Sequence, residues 1–238
     1  MTPEAGKRAA GEAAAALVED GMTVGLGTGS TAVFFTAALG RRVREEGLRL
    51  RGCTATSLAT EAQAREAGLP LLDLNDAGRI DLTVDGADEV GPHLALIKGG
   101  GAALTREKLV WTASARCVVV ADAGKLVATL GVFPLPVEVV AFGHVATAAR
   151  IAAACAHHGS PVEPRLRLRE GAPLVTDNGG LIYDLPLGAI PDPVALAGAL
   201  KPLTGVVEHG LFPGLAELAL LGGEDGAVRS VRPTDVLS

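Results

Sequence analysis

The chain has 238 residues, enough for one large or two modest domains around a substantial core. Hydrophobic residues make up 48 % and aromatic ones only 3 %, so that core must be built mainly from Ala, Val, Leu and Ile. A formal charge of -6, without any run of five basic residues, argues against a general nucleic-acid binder and leaves small anions to be captured locally.

In chain order, Thr2 and Pro3 read as an N-cap and first helical position, and an Ala-rich run carries this helix to Asp20, with Gly21 as its C′ residue. Met22 to Leu26 reads as a strand that turns through GLGTGST, Gly25 to Thr31, into a helix reaching about Glu46. Leu50 to Ala55 is the next strand, followed by a helix from Ser57, its cap, to Ala67. Pro70 to Leu72 and Ile80 to Val84 read as short strands, the second ending in Asp85-Gly86-Ala87-Asp88-Glu89. Leu94 to Ile97 delivers the chain to Lys98 and the run KGGGAALTREK, whose glycines precede a helix from about Ala102 to Ala113. Cys117 to Ala121 is continuously apolar, as suits a sheet covered on both faces. Strands alternating with helices predict a doubly wound, mostly parallel α/β sheet, Rossmann-like in plan.

From Gly131 to Pro136 the pattern breaks. Val137 to Val140 reads as strand, Val145 to His157 as helix and Arg165 to Leu168 as strand. Thr176-Asp177-Asn178-Gly179-Gly180 is a hairpin signal, Asp192-Pro193 opens a short helix, and Gly205 to Glu208 is a strand. Strand, helix, hairpin, helix and strand predict a smaller, ferredoxin-like α+β domain over 132–207, beside an α/β domain of 1–131 and 208–238. Leu215 to Leu221 and Val228 to Val231 return to the first sheet.

Cys53, Cys117 and Cys155 are far apart in apolar surroundings and make neither a disulfide framework nor a metal-ligand spacing; buried thiols in a reducing compartment are expected. The opening residues lack a charged start followed by a long apolar run, and no stretch approaches the about 18 apolar residues of a membrane span. A cytoplasmic protein with no membrane association is expected.

Three loops fall at the carboxyl ends of strands, the edge where open parallel sheets bind ligands. GLGTGST lacks the lysine of a P-loop, and it lacks the third glycine and the following acid of a dinucleotide fingerprint. What it offers is a helix N-terminus at Gly29 and the hydroxyls of Thr28, Ser30 and Thr31, a cradle for a single phosphate. In DGADEV, Asp85 and Asp88, separated by Gly86 and Ala87, are suited to a divalent metal, to sugar hydroxyls or to acid-base work, with Glu89 as a third carboxylate. His93 follows Pro92 in a turn, and His144, His157, His158 and His209 lie outside the loops, so no metal is expected. Lys98 with Gly99, Gly100 and Gly101 offers a cation and free amides, and Glu107 follows on the helix. Lys125 is a further phosphate contact and Lys7 a weaker one. The set suits proton abstraction beside the carbonyl of a sugar phosphate, with no cofactor required.

The trio GTGST, DGADEV and KGGGAALTREK, in this order, resembles the type A ribose-5-phosphate isomerases, and the similarity of plan extends over essentially the whole chain. The resemblance implies a cofactor-independent interconversion of ribose 5-phosphate and ribulose 5-phosphate. It implies Glu107 as the base that moves a proton between C2 and C1, and Lys98 with the Gly99 to Gly101 amides as the oxyanion site. Asp85 and Asp88 would hold sugar hydroxyls and assist ring opening, and Thr28 to Thr31 with Lys125 would take the phosphate. Homodimers or dimers of dimers are implied as well. Two rivals remain: a coenzyme A transferase on a similar fold, with glutamate as nucleophile, and a sugar-phosphate-sensing domain, which would have no need of Glu107.

Overall fold

A computed structural model describes residues 3–235. Helix α1 (Pro3–Ala15) precedes strand β1 (Thr23–Leu26), followed by α2 (Ala32–Glu45), β2 (Gly52–Ala55), α3 (Leu58–Glu66) and the single turn α4 (Leu74–Ala77). Next come β3 (Leu82–Asp85), β4 (Glu89–Val90), β5 (Leu96–Ile97), α5 (Leu104–Thr112) and β6 (Cys117–Asp122). The middle of the chain forms β7 (Leu135–Val139), α6 (His144–His157), β8 (Arg165–Leu166), β9 (Leu168–Arg169), β10 (Ala172–Pro173), β11 (Leu181–Leu185), α7 (Pro193–Leu200) and β12 (Val206–His209). Strands β13 (Leu211–Phe212), β14 (Leu218–Gly222) and β15 (Val228–Val231) follow.

The central sheet has the order β15-β14-β6-β3-β1-β2, parallel throughout except for the antiparallel edge strand β15. Alternation along β6 shows why both faces must be covered. Val118 and Val120 pack with Phe35 and Leu39 of α2 and Ala10 and Ala14 of α1, while Val119 and Ala121 pack with Trp111 of α5 and Phe212 on the other face. After β1 the chain moves outward to β2 and then returns to the opposite side of β1 as β3, so the strand order reverses between β1 and β3. Their carboxyl-end loops part there and open a crevice.

A second, antiparallel sheet has the order β12-β7-β11-β8, and α6 and α7 share one apolar cluster with it through Ile151, Cys155, Leu196 and Leu200. This is the βαββαβ order of a ferredoxin-like unit. The doubly wound sheet and the return of Leu218–Gly222 to it agree with the sequence pattern. Ser57 and Asp192 cap α3 and α7, accepting from the amides of Thr60 and Ala195.

Other expectations differ. Thr2 lies outside the described residues, and α1 ends at Ala15, five residues short of the predicted Asp20. Pro70 to Leu72 contributes only a single bridge, from Leu71 to Cys53. The strand before Lys98 does not join the parallel sheet. β5 is instead the centre of a separate three-stranded antiparallel sheet, between β4 and β13. A two-residue apolar strand carries no signal of its partner, so sequence could not show that pairing. Among the described residues, no helix is long and apolar enough to cross a membrane.

Candidate active site

Loops after β1, β3 and β5 converge on one cavity with Lys98 at its base. Lys98 is 2 % exposed; its Nζ donates to Gly86 O at 2.5 Å and lies 3.0 Å from Asp85 Oδ2 and 3.2 Å from Glu107 Oε1. A buried ammonium is tolerated only with such compensation. Burial acts to lower its pKa, and the charges of Asp85 and Glu107 outweigh that and leave it raised.

Asp85 is fully buried at the end of β3. Its Oδ1 accepts the amides of Thr28 (3.0 Å) and Gly86 (2.7 Å), and its Oδ2 accepts Trp111 Nε1 at 3.2 Å beside the lysine. Gly27 permits this arrangement, because a Cβ there would sit 2.2 Å from Asp85 Oδ1. Burial raises the Asp85 pKa, against the opposing pull of Lys98. Asp85 is not part of the cavity wall, whereas Asp88 is. With both oxygens committed, Asp85 does not have the free acceptor that holding a sugar hydroxyl requires; the sequence pattern DGAD treats both acids alike, and burial separates them.

Glu107 stands in the first turn of α5, 4 % exposed and part of the wall. Oε1 faces Lys98, and Oε2 is buried with no hydrogen-bond partner among the described residues. An unpaired buried carboxylate oxygen is costly and rare in a folded chain. Burial, with the Asp85 charge added, pushes the Glu107 pKa up to about 8 against the pull of Lys98. A base is most effective near that range.

The other end of the cavity is the β1 loop. Gly29 and Ser30 are exposed, and Thr31 is the N-cap of the 14-residue α2 without using its side chain to cap it. Lys7 on α1 donates to Ser30 Oγ at 2.9 Å, and Lys125, in the turn after β6, lines the cavity. A helix N-terminus, two hydroxyls and two ammonium groups are thus within one loop's reach, an arrangement suited to a phosphate. Thr28 lines the cavity, but the direction of its hydroxyl departs from expectation. Its hydroxyl points into a cluster with Thr56 (2.8 Å), Ser57 (2.8 Å) and Thr60 (3.0 Å), so it braces the loop. Among the described residues there is no group of three His, Cys, Asp or Glu placed to hold a metal ion.

A model of the family described as ribose 5-phosphate isomerase A (phosphoriboisomerase A) matches residues 52–226. A Caulobacter vibrioides protein named ribose-5-phosphate isomerase A is 60 % identical, covering 96 % of this chain and 99 % of its own. The chain belongs to the ribose 5-phosphate isomerase A family. Among solved structures, ribose 5-phosphate isomerase from Plasmodium falciparum is similar with a TM-score of 0.91 at 33 % identity, covering 98 % of this chain and 100 % of its own. A D-ribose-5-phosphate isomerase in complex with phospho-erythronic acid has a TM-score of 0.89 at 34 % identity, covering 98 % and 100 %.

Around this isomerase-family cavity, several groups had no distinguishing signal in the sequence. Glu89, weighed as a third acid, is buried and accepts the amides of Gly131 (2.7 Å) and Phe133 (2.6 Å), so it holds the crossing into the second sheet. Asp122 lines the cavity from the end of β6, a position legible only once β6 is known to lie beside β3. The Gly100 amide donates to Asp88 Oδ2 at 2.7 Å, so in this state it is not free for an oxyanion. Gly99 adopts φ +106°, open to glycine and strained for other residues. Behind α5, Lys108 donates to Glu208 Oε1 at 2.8 Å and to His209 O at 2.6 Å, fastening the helix to β12. Burial lowers the Lys108 pKa to about 8, while hydrogen bonds from Lys108 and Lys201 overcome burial and hold Glu208 down at about 2.

Proposed function

We propose that the chain interconverts D-ribose 5-phosphate and D-ribulose 5-phosphate by proton transfer through an enediolate, without a cofactor. The single observation that carries this is Glu107, a cavity-lining carboxylate 3.2 Å from Lys98 whose buried Oε2 has no hydrogen-bond partner among the described residues. Glu107 takes the proton from C2 of the open-chain aldose and returns it to C1, while the hydroxyl proton on O2 passes to O1 so that C2 becomes the carbonyl. Negative charge that develops on the aldehyde oxygen meets Lys98 and the glycine-loop amides that Asp88 does not hold. Asp88 holds a sugar hydroxyl and assists ring opening, while Asp85 fixes the ammonium of Lys98. Gly29, Ser30 and Thr31, with Lys7 and Lys125, take the phosphate. A phosphorylated sugar acid bound by a relative of this fold supports such a site.

The decisive experiment is an assay of the purified, EDTA-treated protein with ribose 5-phosphate, following ribulose 5-phosphate. Activity is expected to survive the chelator. Tight binding without turnover would favour a sensor instead. The rate constant kcat/KM reports the free enzyme, in which Glu107 must be ionised to act. With its pKa raised to about 8, kcat/KM is expected to fall as pH drops below that value, approaching about tenfold per unit for one proton. A limb in the ordinary carboxylate range, near pH 4 to 5, would show that a different, solvated group is the base.

We further propose a homodimer or dimer of dimers acting in the cytoplasm, with residues 132–207 as a second domain. The apolar cluster centred on that segment, which also takes in Ala95, Ile97, Leu130 and Leu211, and the burial of three free thiols, Cys53, Cys117 and Cys155, support the domain and the reducing compartment. Light scattering on the eluting protein tests the assembly.

A further inference from the structure

Arg167 stands between β8 and β9, outside every stretch of chain that the sequence marked for ligand binding. It forms a two-pronged pair with Asp184 of β11, Nε lying 2.8 Å from Oδ2 and Nη2 meeting Oδ1. Its remaining nitrogen, Nη1, reaches across to the glycine loop and donates to Gly99 O at 2.8 Å and Gly100 O at 3.1 Å. The Arg167 backbone is fastened on both sides, its amide to Ile182 O and its carbonyl to Leu174 N. At 14 % and 23 % side-chain exposure the pair is sheltered, unlike the solvated ion pairs that contribute little.

The geometry has a directional consequence. None of the described peptides is cis, and in a trans peptide the N–H points away from the C=O. A cation that holds the carbonyls of Gly99 and Gly100 therefore sets the amides of Gly100 and Gly101 toward the opposite side. Gly100 follows this, its amide meeting Asp88 at 2.7 Å, and all three glycines line the cavity. Glycines have no side chain to hold such an orientation. A charged donor on the carbonyl also polarises the peptide and makes its N–H the stronger donor.

We propose that Arg167, braced by Asp184, is a positioning residue for the isomerisation, holding the Gly99–Gly100 peptide with its amide on Asp88 and fixing and polarising the Gly100–Gly101 peptide, whose Gly101 amide receives the oxyanion of the enediolate. This inference rests on the isomerase assignment and on the loop as its oxyanion site. The second sheet thereby contributes to the chemistry without touching the substrate.

The test uses Arg167→Ala and Arg167→Lys in the full chain, with folding checked by circular dichroism. For Arg167→Ala, kcat is expected to fall about 100-fold, the scale of a small misplacement at a reacting centre, with KM changed by less than about threefold. Inhibition by inorganic phosphate should be unchanged, while a phosphorylated aldonic acid, whose carboxylate imitates the oxyanion end, should bind more weakly roughly in step with kcat. Added methylguanidinium should restore part of the rate. Arg167→Lys should not restore it, since one ammonium cannot hold a bidentate carboxylate and two carbonyls together. The proposal is overturned if kcat of Arg167→Ala stays within about threefold of native, well short of the cost of misplacement. It is also overturned if phosphate and aldonic acid binding fall together without guanidinium rescue, which marks general loosening. Failure of the isomerase assignment itself would show in the native protein, as an absence of turnover before any substitution is made.

Discussion

Glu107→Gln is expected to bind the sugar phosphate nearly as well as the native chain while turnover falls by about 1000-fold or more, the upper part of the range for removing a general base. Glutamine keeps the volume of the side chain and an oxygen that can accept from Lys98, but it cannot take a proton from carbon. Its stability should separate this from a folding defect. Glu107 has its folded pKa raised to about 8, above the ordinary carboxylate value, so the native chain loses stability as pH rises from the unfolded pKa to about 8. The Gln variant has no proton to lose there. Urea midpoints should thus be similar near pH 4 and should favour the variant at pH 9. Turnover within tenfold of native would remove Glu107 as the base.

Legibility in the sequence followed the reach of each interaction. The helices and parallel strands were readable because their periodicity and caps are local: the valines of β6, and Ser57 and Asp192 at their helix starts, announce themselves within a few residues. Glu107, Lys98 and the β1 loop were legible as residue types placed at a glycine-rich helix entrance. What was not legible depended on partners distant in the chain. Asp85 and Asp88 differ by three positions, yet one is sealed behind Trp111 and the other lines the cavity, a division set by packing on α5. The Thr28 hydroxyl was read as facing a ligand and instead meets Thr56, Ser57 and Thr60, brought beside it by the β1–β2 pairing. Arg167 lies 68 residues from Gly99, between β8 and β9 in a run whose charges alternate like those of any half-exposed edge.

Lys98→Met is the second substitution with a large expected effect, because it removes the cation and leaves the bulk. Asp85 and Glu107 would then remain buried without their shared ammonium, 3.0 and 3.2 Å away in the native site. Breaking a buried pair in this way costs about 3–5 kcal/mol. The sign of its pH dependence follows from the carboxylates. Burial already raises both, and without Lys98 the opposing pull is gone, so their folded pKa values rise further above the unfolded ones. Stability is then fullest at low pH, where both are protonated, and is lost as pH rises through the folded values. Urea unfolding should accordingly show a large deficit at pH 8 that shrinks toward pH 5. Turnover should fall by about 100- to 1000-fold, the cost of losing one oxyanion-stabilising group. The two readouts are separable, since unfolding measures the charge balance of the resting site and turnover measures the charge that develops on the substrate. A variant with native stability at pH 8 and a hundredfold loss of turnover would mean that Lys98 serves the enediolate alone and that Asp85 is neutralised by its backbone and Trp111 donors.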